Sequence, residues 1–441
     1  MTQRQAEIID LLHKEVKPAL GCTEPIAVAL AVAKACELIQ VKCVERACAK
    51  CISWRLNGDF DIDVKVSGNI LKNGMGVGIP GTGMVGLYIA SALGAVCGRS
   101  EYGLEVLSDL EPDMVERAKA MVEAGRVKVS LADTTHKLYV KATIITECHK
   151  ASAVVADDHD NIVELCLDEN LSTPEFDAKG DCGNVDDKSR PVLTVKEIYE
   201  FATTVAYEDI AFILESRTLN YSLAEEGLHG NYGLMVGKTI SGNREVFGMD
   251  FMSYAMSLTA SACDARMAGC TLPAMSNSGS GNQGITVTMP VIAYSMKYDV
   301  DNESLARALV ISHLVAIHIK SYLGKLSALC GCVVASTGAA CGLVYLRGGS
   351  YEQICSVIKN MIGNITGMVC DGAKVGCAMK VASGVASAIQ SAVLAMDGIC
   401  ISENDGIIEK DIEKTIKNLG QIGSVGMQSA DNMILNIMAC K

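Results

Sequence analysis

Apolar residues recur at helical spacing through most of the chain, and one stretch breaks that rhythm. Ile8, Ile9, Leu11, Leu12 and Val16 share one face of a helix over residues 5–17, which Pro18 and Gly21 end. A second helix is expected from Thr23-Glu24-Pro25 to about Gln40, with Thr23 as N-cap, an acid in its first turn and an early proline. From about Val41 the period falls toward two. Residues 59–66 alternate cleanly, as do 126–131, 137–146, 151–156 and 162–167, while 83–96 and 112–124 read as helices between them. Residues 168–191 are acidic and rich in Asp, Asn, Ser, Pro and Gly, the composition of a linker. Beyond Thr194 the period is helical almost throughout, in small-residue-rich segments near 195–218, 247–268, 284–297, 303–323, 333–346, 351–368, 378–395 and 409–418. The expected fold class is α+β. A large, mainly helical domain over residues 191–441 is joined by the N-terminal helices of residues 1–42. Between them lies an inserted α+β module, residues 43–190, with a mostly antiparallel sheet.

Charge and composition narrow the function classes. The 441 residues carry 38 Lys and Arg against 51 Asp and Glu, a net charge of −13, which argues against nucleic acid as a partner because phosphate backbones are held by clustered cations. Hydrophobic residues make up 49% and charged residues 20%, so the chain has a core to fill. No uninterrupted apolar run reaches the roughly 18 residues that cross a bilayer. The first residues lack the basic flank and apolar segment of a signal peptide. The expectation is a soluble, cytoplasmic protein without a membrane partner, in which most of the 19 cysteines are reduced, small, buried hydrophobes.

Some cysteines stand apart. Cys22 immediately precedes a helix, where free N–H groups and the macrodipole favour thiolate. In the helical half, Cys330, Cys370 and Cys377 each adjoin glycine or lie one residue from it; glycine lets backbone N–H groups approach sulfur, as an iron-sulfur cluster requires. Cys332 and Cys341 compete with Cys330 for the third place. Cys43, Cys48 and Cys51 have a ferredoxin-like C-x4-C-x2-C spacing, but they run into a strand pattern in which Cys48 and Cys51 point to opposite faces. Two glycine-rich loops, residues 67–74 and 276–284, suit a small anionic substrate better than a nucleotide, since neither ends as a phosphate-binding loop does. His313 and His318 lie on an apolar helix and read as core residues.

Taken in order, Gly21–Pro25, Gly68–Gly74, Gly279–Gly284, Leu326–Gly331 and Gly367–Lys374 resemble the L-cysteine desulfidase family, relatives of the iron-sulfur L-serine dehydratases, and the resemblance runs essentially from end to end. It implies an oxygen-sensitive 4Fe-4S cluster held by Cys330, Cys370 and Cys377 with one iron open; Cys332 is a further cysteine close to the first of these. It also implies that Cys22, as thiolate, is the base that removes the substrate Cα proton. The substrate carboxylate would rest on N–H groups of Asn69 or of Gly281, Asn282 and Gln283. The implied reaction converts L-cysteine to pyruvate, ammonia and hydrogen sulfide. The same site with L-serine would be a dehydratase, a protein with four cluster cysteines would instead carry electrons, and a member without activity would act as a sensor. The expected partner is a small amino acid, with a homo-oligomer possible. Cys440, beside the C-terminal Lys441, is placed to reach the open iron.

Overall fold

The computed structural model describes residues 2–46, 60–173, 176–178, 191–324 and 327–439. Cys48, Cys51 and Cys440 lie outside the described residues, as do Leu326 and most of the acidic linker. The chain opens with α1 (Gln3–Glu15), closed at its start by a capping box between Thr2 and Gln5. A two-residue strand, β1 (Pro18–Ala19), separates it from α2 (Thr23–Arg46). The two helices divide between two cores. The apolar face of α1, with Ile8, Leu11 and Leu12, enters the large helical core, whereas α2 contributes Ile26 to Ile39 to the core beneath the sheet. Residues 1–42 are therefore not a single layer on the helical half. The nearly all-apolar circumference of α2 explains the difference, because a helix buried all round needs a sheet on one side and helices on the other.

The alternating stretch folds as one mixed sheet. β2 (Asp61–Val66), β3 (Val127–Leu131), β4 (Tyr139–Ile145), β5 (Lys150–Ala156), β6 (Ile162–Leu167) and β7 (Asn170–Leu171) lie in the order β3-β2-β4-β5-β6-β7. Every pairing is antiparallel except β2 with β3, which is parallel. A parallel pair needs a crossover. Here it contains α3 (Gly68–Gly74), α4 (Leu87–Val96) and α5 (Pro112–Glu123). Along β5, Ala151, Ala153 and Val155 face the larger core while Val154 and Ala156 face a smaller one with Tyr139, so both faces of that strand are covered.

The helical half contains α6 (Val195–Thr204), α7 (Glu215–His229), α8 (Val236–Gly242), α9 (Phe251–Met267), α10 (Gly281–Lys297), α11 (Asn302–Leu323), α12 (Gly331–Leu346), α13 (Tyr351–Ile365), α14 (Cys377–Met396), α15 (Ile412–Gln421) and α16 (Gln428–Ala439). Helix α12 is its axis, buried from Cys332 to Val344 and packed by α10, α11, α13 and α14. Close approach explains the small residues there, since a Cβ at Gly338 would collide with the Ser312 carbonyl. Helix α14 is long and apolar enough to cross a bilayer by length and composition, a case that counting uninterrupted apolar runs passes over because Lys380 splits it. Ten of its residues, from Ala378 to Ala395, are buried within the protein.

Among the contacts between the described parts of the two halves, three bear on the candidate site. β1 pairs antiparallel with β8 (Ala274–Met275), in the register Pro18 with Met275 and Ala19 with Ala274. Buried Lys72 of α3 forms an ion pair with Asp431 of α16. Gly372 lies against the Lys72 carbonyl, where any Cβ would collide; its φ of +94° also favours glycine.

Candidate active site

The β1–β8 pair carries the Gly21-Cys22 turn against the loop before α10. Ser276 N–H donates to the Lys17 carbonyl (2.8 Å) and Ser278 N–H to that of Glu15 (2.9 Å). Thr23 does not cap α2 as expected. Its hydroxyl lies 3.3 Å from both Glu24 Oε2 and the Gly279 carbonyl, stitching the turn to the second glycine loop. Arg266, a buried cation on α9, completes the corner by donating to the Gly21 carbonyl (2.7 Å) and to Asn282 Oδ1 (3.0 Å). Gly281 is required there, because a Cβ would run into the guanidinium.

Cys22 is buried, and its Sγ donates to Glu24 Oε2 at 2.9 Å. Burial, and next to it the Glu24 carboxylate, push its pKa well above the ordinary thiol value, against the opposing pull of Arg266. The expected thiolate is thus a thiol. The helix terminus contributes less than desolvation and a neighbouring anion do.

Gln283 links this corner to the next. Its N–H is taken by Ser280 Oγ (3.3 Å) and its Nε2 donates to Asn277 Oδ1 (2.7 Å), while Oε1 faces Gly331 at the start of α12. Asn277 in turn donates to His313 Nδ1 (2.9 Å), and burial lowers the pKa of this histidine to about 3, leaving it a neutral core residue. His318 is also buried, 2.7 Å from Glu413.

Cys330 and Cys370 flank an antiparallel bridge between Leu329 and Val369. Cys330 N–H donates to the Met368 carbonyl (3.0 Å) and Cys370 N–H to that of Ala328 (2.7 Å). Cys377 opens α14 with its Sγ 3.7 Å from the Gly372 carbonyl. These three thiols interact electrostatically with one another. Burial and the neighbouring Cys370 push Cys330 up to about 12. Of the competitors, Cys332 also interacts electrostatically with Cys330 and Cys377. Cys332 donates to the Lys380 carbonyl (3.2 Å) and packs where a Cβ on Gly384 would stand; Cys341 is wholly buried in the α12 core. The surroundings are cationic. Lys374 and Lys380 both pair with Asp371 and, against the opposing effect of burial, hold its pKa down at about 2.

Among the described residues, no three His, Cys, Asp or Glu side chains stand close enough to share one metal ion. A cubane cluster distributes its cysteines over separate irons, so its ligands stand farther apart than those of a single ion. Three glycine-flanked thiols on two loops and a helix start, with lysines to offset thiolate charge, suit that larger group.

Asn69 lies on α3, opposite the Cys370 loop, and its Oδ1 is buried without a hydrogen-bond partner among the described residues. Sequence reasoning missed Glu24, Arg266 and Lys320. Lys320 occupies the last turn of α11, half-buried; its charge interacts with Cys370, Cys330 and Glu24, and burial lowers its pKa. The signal for Arg266 and Lys320 was a cation within a mainly apolar helical stretch, which a solvated helix face would not give.

The five motifs thus form one contiguous chain of contacts: Thr23 to Gly279, Gln283 to Gly331, Cys330 to Met368, Ala328 to Cys370, and Gly372 to Lys72. The comparisons with known proteins cover the same elements. The model of the serine dehydratase alpha chain family matches residues 101–436, which include all three clustered thiols. Full-length relatives extend the similarity across Cys22 and Asn69. A UPF0597 protein of Oleidesulfovibrio alaskensis is 52% identical over 437 residues, 98% of this chain and 97% of its own. A UPF0597 protein of Bacteroides thetaiotaomicron is 47% identical over 438 residues, covering 99% and 98%. Another, from Shewanella pealeana, is 44% identical over 439 residues, 98% of each. With its thiol loops, the helices that hold them and the sheet's later strands all inside the matched span, the chain belongs to the serine dehydratase alpha chain family, a family of lyases.

Proposed function

We propose that the protein is an iron-sulfur-dependent L-cysteine desulfidase, releasing hydrogen sulfide from L-cysteine and leaving aminoacrylate, which water hydrolyses to pyruvate and ammonia. The observation that carries this reading is the chain of contacts that joins the loops of Cys330 and Cys370 to the glycine loop on which the Cys22–Glu24 turn is stitched. Cys330, Cys370 and Cys377 would hold a 4Fe-4S cluster, which when bound supplies a Lewis-acidic iron for the leaving group. Soft thiolate suits such iron, which favours L-cysteine; the family's name favours L-serine as the second substrate.

The protein's own side chains handle the Cα proton. At rest the pair keeps its proton on Cys22 and offers Glu24 as acceptor, so the carboxylate frees the sulfur to act as base. Arg266 fixes the turn that aims Cys22 and braces Asn282 in the facing loop. Asn69, Gly281, Asn282 and Gln283 line the substrate side. Asn69 has an unused buried acceptor, and the Gln283 N–H is already committed to Ser280.

The test is anoxic purification followed by parallel assays for sulfide from L-cysteine and pyruvate from L-serine, with iron and labile sulfide counted on the same sample. Sulfide release that air abolishes, with about four irons per chain, is the expected result. Pyruvate from serine without sulfide from cysteine would select the dehydratase. A full cluster with neither product would overturn both.

A further inference from the structure

One buried amide of the site is held in a single orientation, and the end it presents is an acceptor. The orientation starts at the backbone carbonyl of His313 on α11, a group that only accepts hydrogen bonds. The Asn277 side-chain atom 3.3 Å from that carbonyl and 2.9 Å from His313 Nδ1 is therefore its nitrogen, with one hydrogen for each. Asn277 Oδ1 then faces the other way, where it accepts from Ser278 Oγ (3.0 Å) and from Gln283 (2.7 Å). The atom donating to it must be Nε2, which turns the Gln283 oxygen toward Gly331, 3.2 Å from where a Cβ on that glycine would stand. Asn277 is fixed at its backbone too, since its N–H donates to the Ser280 carbonyl (3.1 Å) and its carbonyl accepts from Ser280 N–H (3.0 Å). Gln283 is only 2% exposed, and its Oε1 accepts no hydrogen bond among the described residues, yet this oxygen is not sealed from solvent as Asn69 Oδ1 is. An unpaired acceptor on a buried amide costs free energy, so an amide locked with its oxygen outward points to a donor brought by a ligand. The N–H of the same residue is taken by Ser280. Gln283 thus offers an incoming molecule an acceptor alone.

We infer that Gln283 Oε1 is the anchor for the substrate α-ammonium and makes the site selective for amino acids over the corresponding carboxylic acids. The inference rests on the amino-acid-lyase reading above and names a contact within it. On L-cysteine or L-serine the carboxylate only accepts, and the thiol or hydroxyl is the leaving group. The ammonium is the donor that remains. Gln283 therefore serves the opposite end of the substrate from the carboxylate expected of it. A site built around such a contact rejects an analogue without the donor, because its own oxygen is then left unpaired.

The test uses the anoxically purified, cluster-loaded full chain as wild type, Gln283→Met and Gln283→Glu. Binding of L-alanine, which has carboxylate and ammonium but no leaving group, is measured by calorimetry beside propionate, which lacks only the ammonium. Iron content, KM and kcat are taken on the same samples. A charge-assisted hydrogen bond predicts that the wild type binds L-alanine roughly 10- to 100-fold more tightly than propionate. In Gln283→Met most of that preference disappears, KM rises more than kcat falls, and propionate binding, iron content and the circular dichroism spectrum stay unchanged. Gln283→Glu, whose protonated carboxyl can donate to Asn277 and keep an oxygen toward Gly331, retains part of the preference. Equal binding of L-alanine and propionate by the wild type overturns the inference without recourse to a variant. An undiminished preference in Gln283→Met overturns it too, as does a preference lost as fully in Gln283→Glu as in Gln283→Met. Loss of iron in Gln283→Met with equal weakening of both ligands also overturns it, making the amide a brace for the Cys330 loop. A wild type that prefers L-alanine yet releases neither sulfide nor pyruvate breaks the lyase reading alone, and the two variants still judge Gln283.

Discussion

Two corners of this protein use the same local ingredients and the same burial of sulfur but set charges of opposite sign beside it. Cys22, Cys330 and Cys377 all stand at or beside a helix N-terminus, next to glycine, in surroundings that exclude most water. At Cys22 the nearest charged group is the Glu24 carboxylate, and the proton is held on sulfur. Around Cys330 and Cys377 the ammonium group of Lys380 acts in favour of thiolate, against the burial that raises both thiols. A helix terminus contributes about 0.3–1 kcal/mol, whereas burial and a close charge shift a pKa by several units. Proton placement on a thiol is thus decided by burial and by the charges set beside it, local at Cys22 and remote at Cys330.

The contrast can be broken most forcefully on the thiol side. Cys370→Ser or Cys330→Ser is expected to abolish a full complement of iron, read by iron and labile-sulfide counts, and turnover with it; a full count in either variant removes that residue from the ligand set. Cys22→Ala should leave the iron count intact while lowering turnover by roughly 10²- to 10⁴-fold, the usual worth of a general base. Should it retain full activity, the two corners do not divide the labour as argued. A smaller effect tests the anion itself: Glu24→Gln removes the negative charge that helps raise the Cys22 pKa. Its alkylation by iodoacetamide, followed by peptide mass spectrometry, should then begin at lower pH than in the wild type. An unshifted profile would mean that burial alone holds the proton.

Structural support for the comparison is probed by Gly281→Ala, which pushes the Arg266 guanidinium off Gly21 and Asn282. A loss of about 1–3 kcal/mol, seen as a lower melting temperature, is expected from overpacking of this kind. The mildest effect at neutral pH belongs to His313. Burial depresses its pKa from the ordinary 6.5 to about 3, so the unfolded chain binds a proton that the folded one refuses. Stability is complete above pH 6.5 and falls as the pH drops from there toward 3. In His313→Gln this acid slope should flatten in denaturant titrations, whereas an identical slope would assign acid lability to other groups.

Much of the fold was legible because periodicity depends on local sequence. Residues 59–66, 126–131 and 151–156 alternate and became β2, β3 and β5; the apolar helical runs became α9 to α14 within a few residues. What escaped was short or depended on remote partners. Helix α3 hides in a glycine-rich loop of residues 67–74, and α2 packs on the sheet because of strands that follow it much later. The cysteines proposed for the site stand out in the sequence by their glycines and by the resemblance they carry. Glu24 lay inside a motif already singled out, but its hydrogen bond to Cys22 reverses the expected ionisation, and no spacing rule contains that. Arg266 and Lys320 were passed over as members of apolar helices, although a cation there needs something to hold.

The β1–β8 pair has a consequence for how the molecule comes into being. Pro18–Ala19 leaves the ribosome early and waits for Ala274–Met275, more than half the chain later, before its hydrogen bonds can close. The Cys22 turn therefore spends much of synthesis without its facing loop, and the thiols that follow emerge later still. Long-range closure of this kind slows folding. Assembly of this corner is thus a late event in biogenesis, completed only on a nearly finished polypeptide.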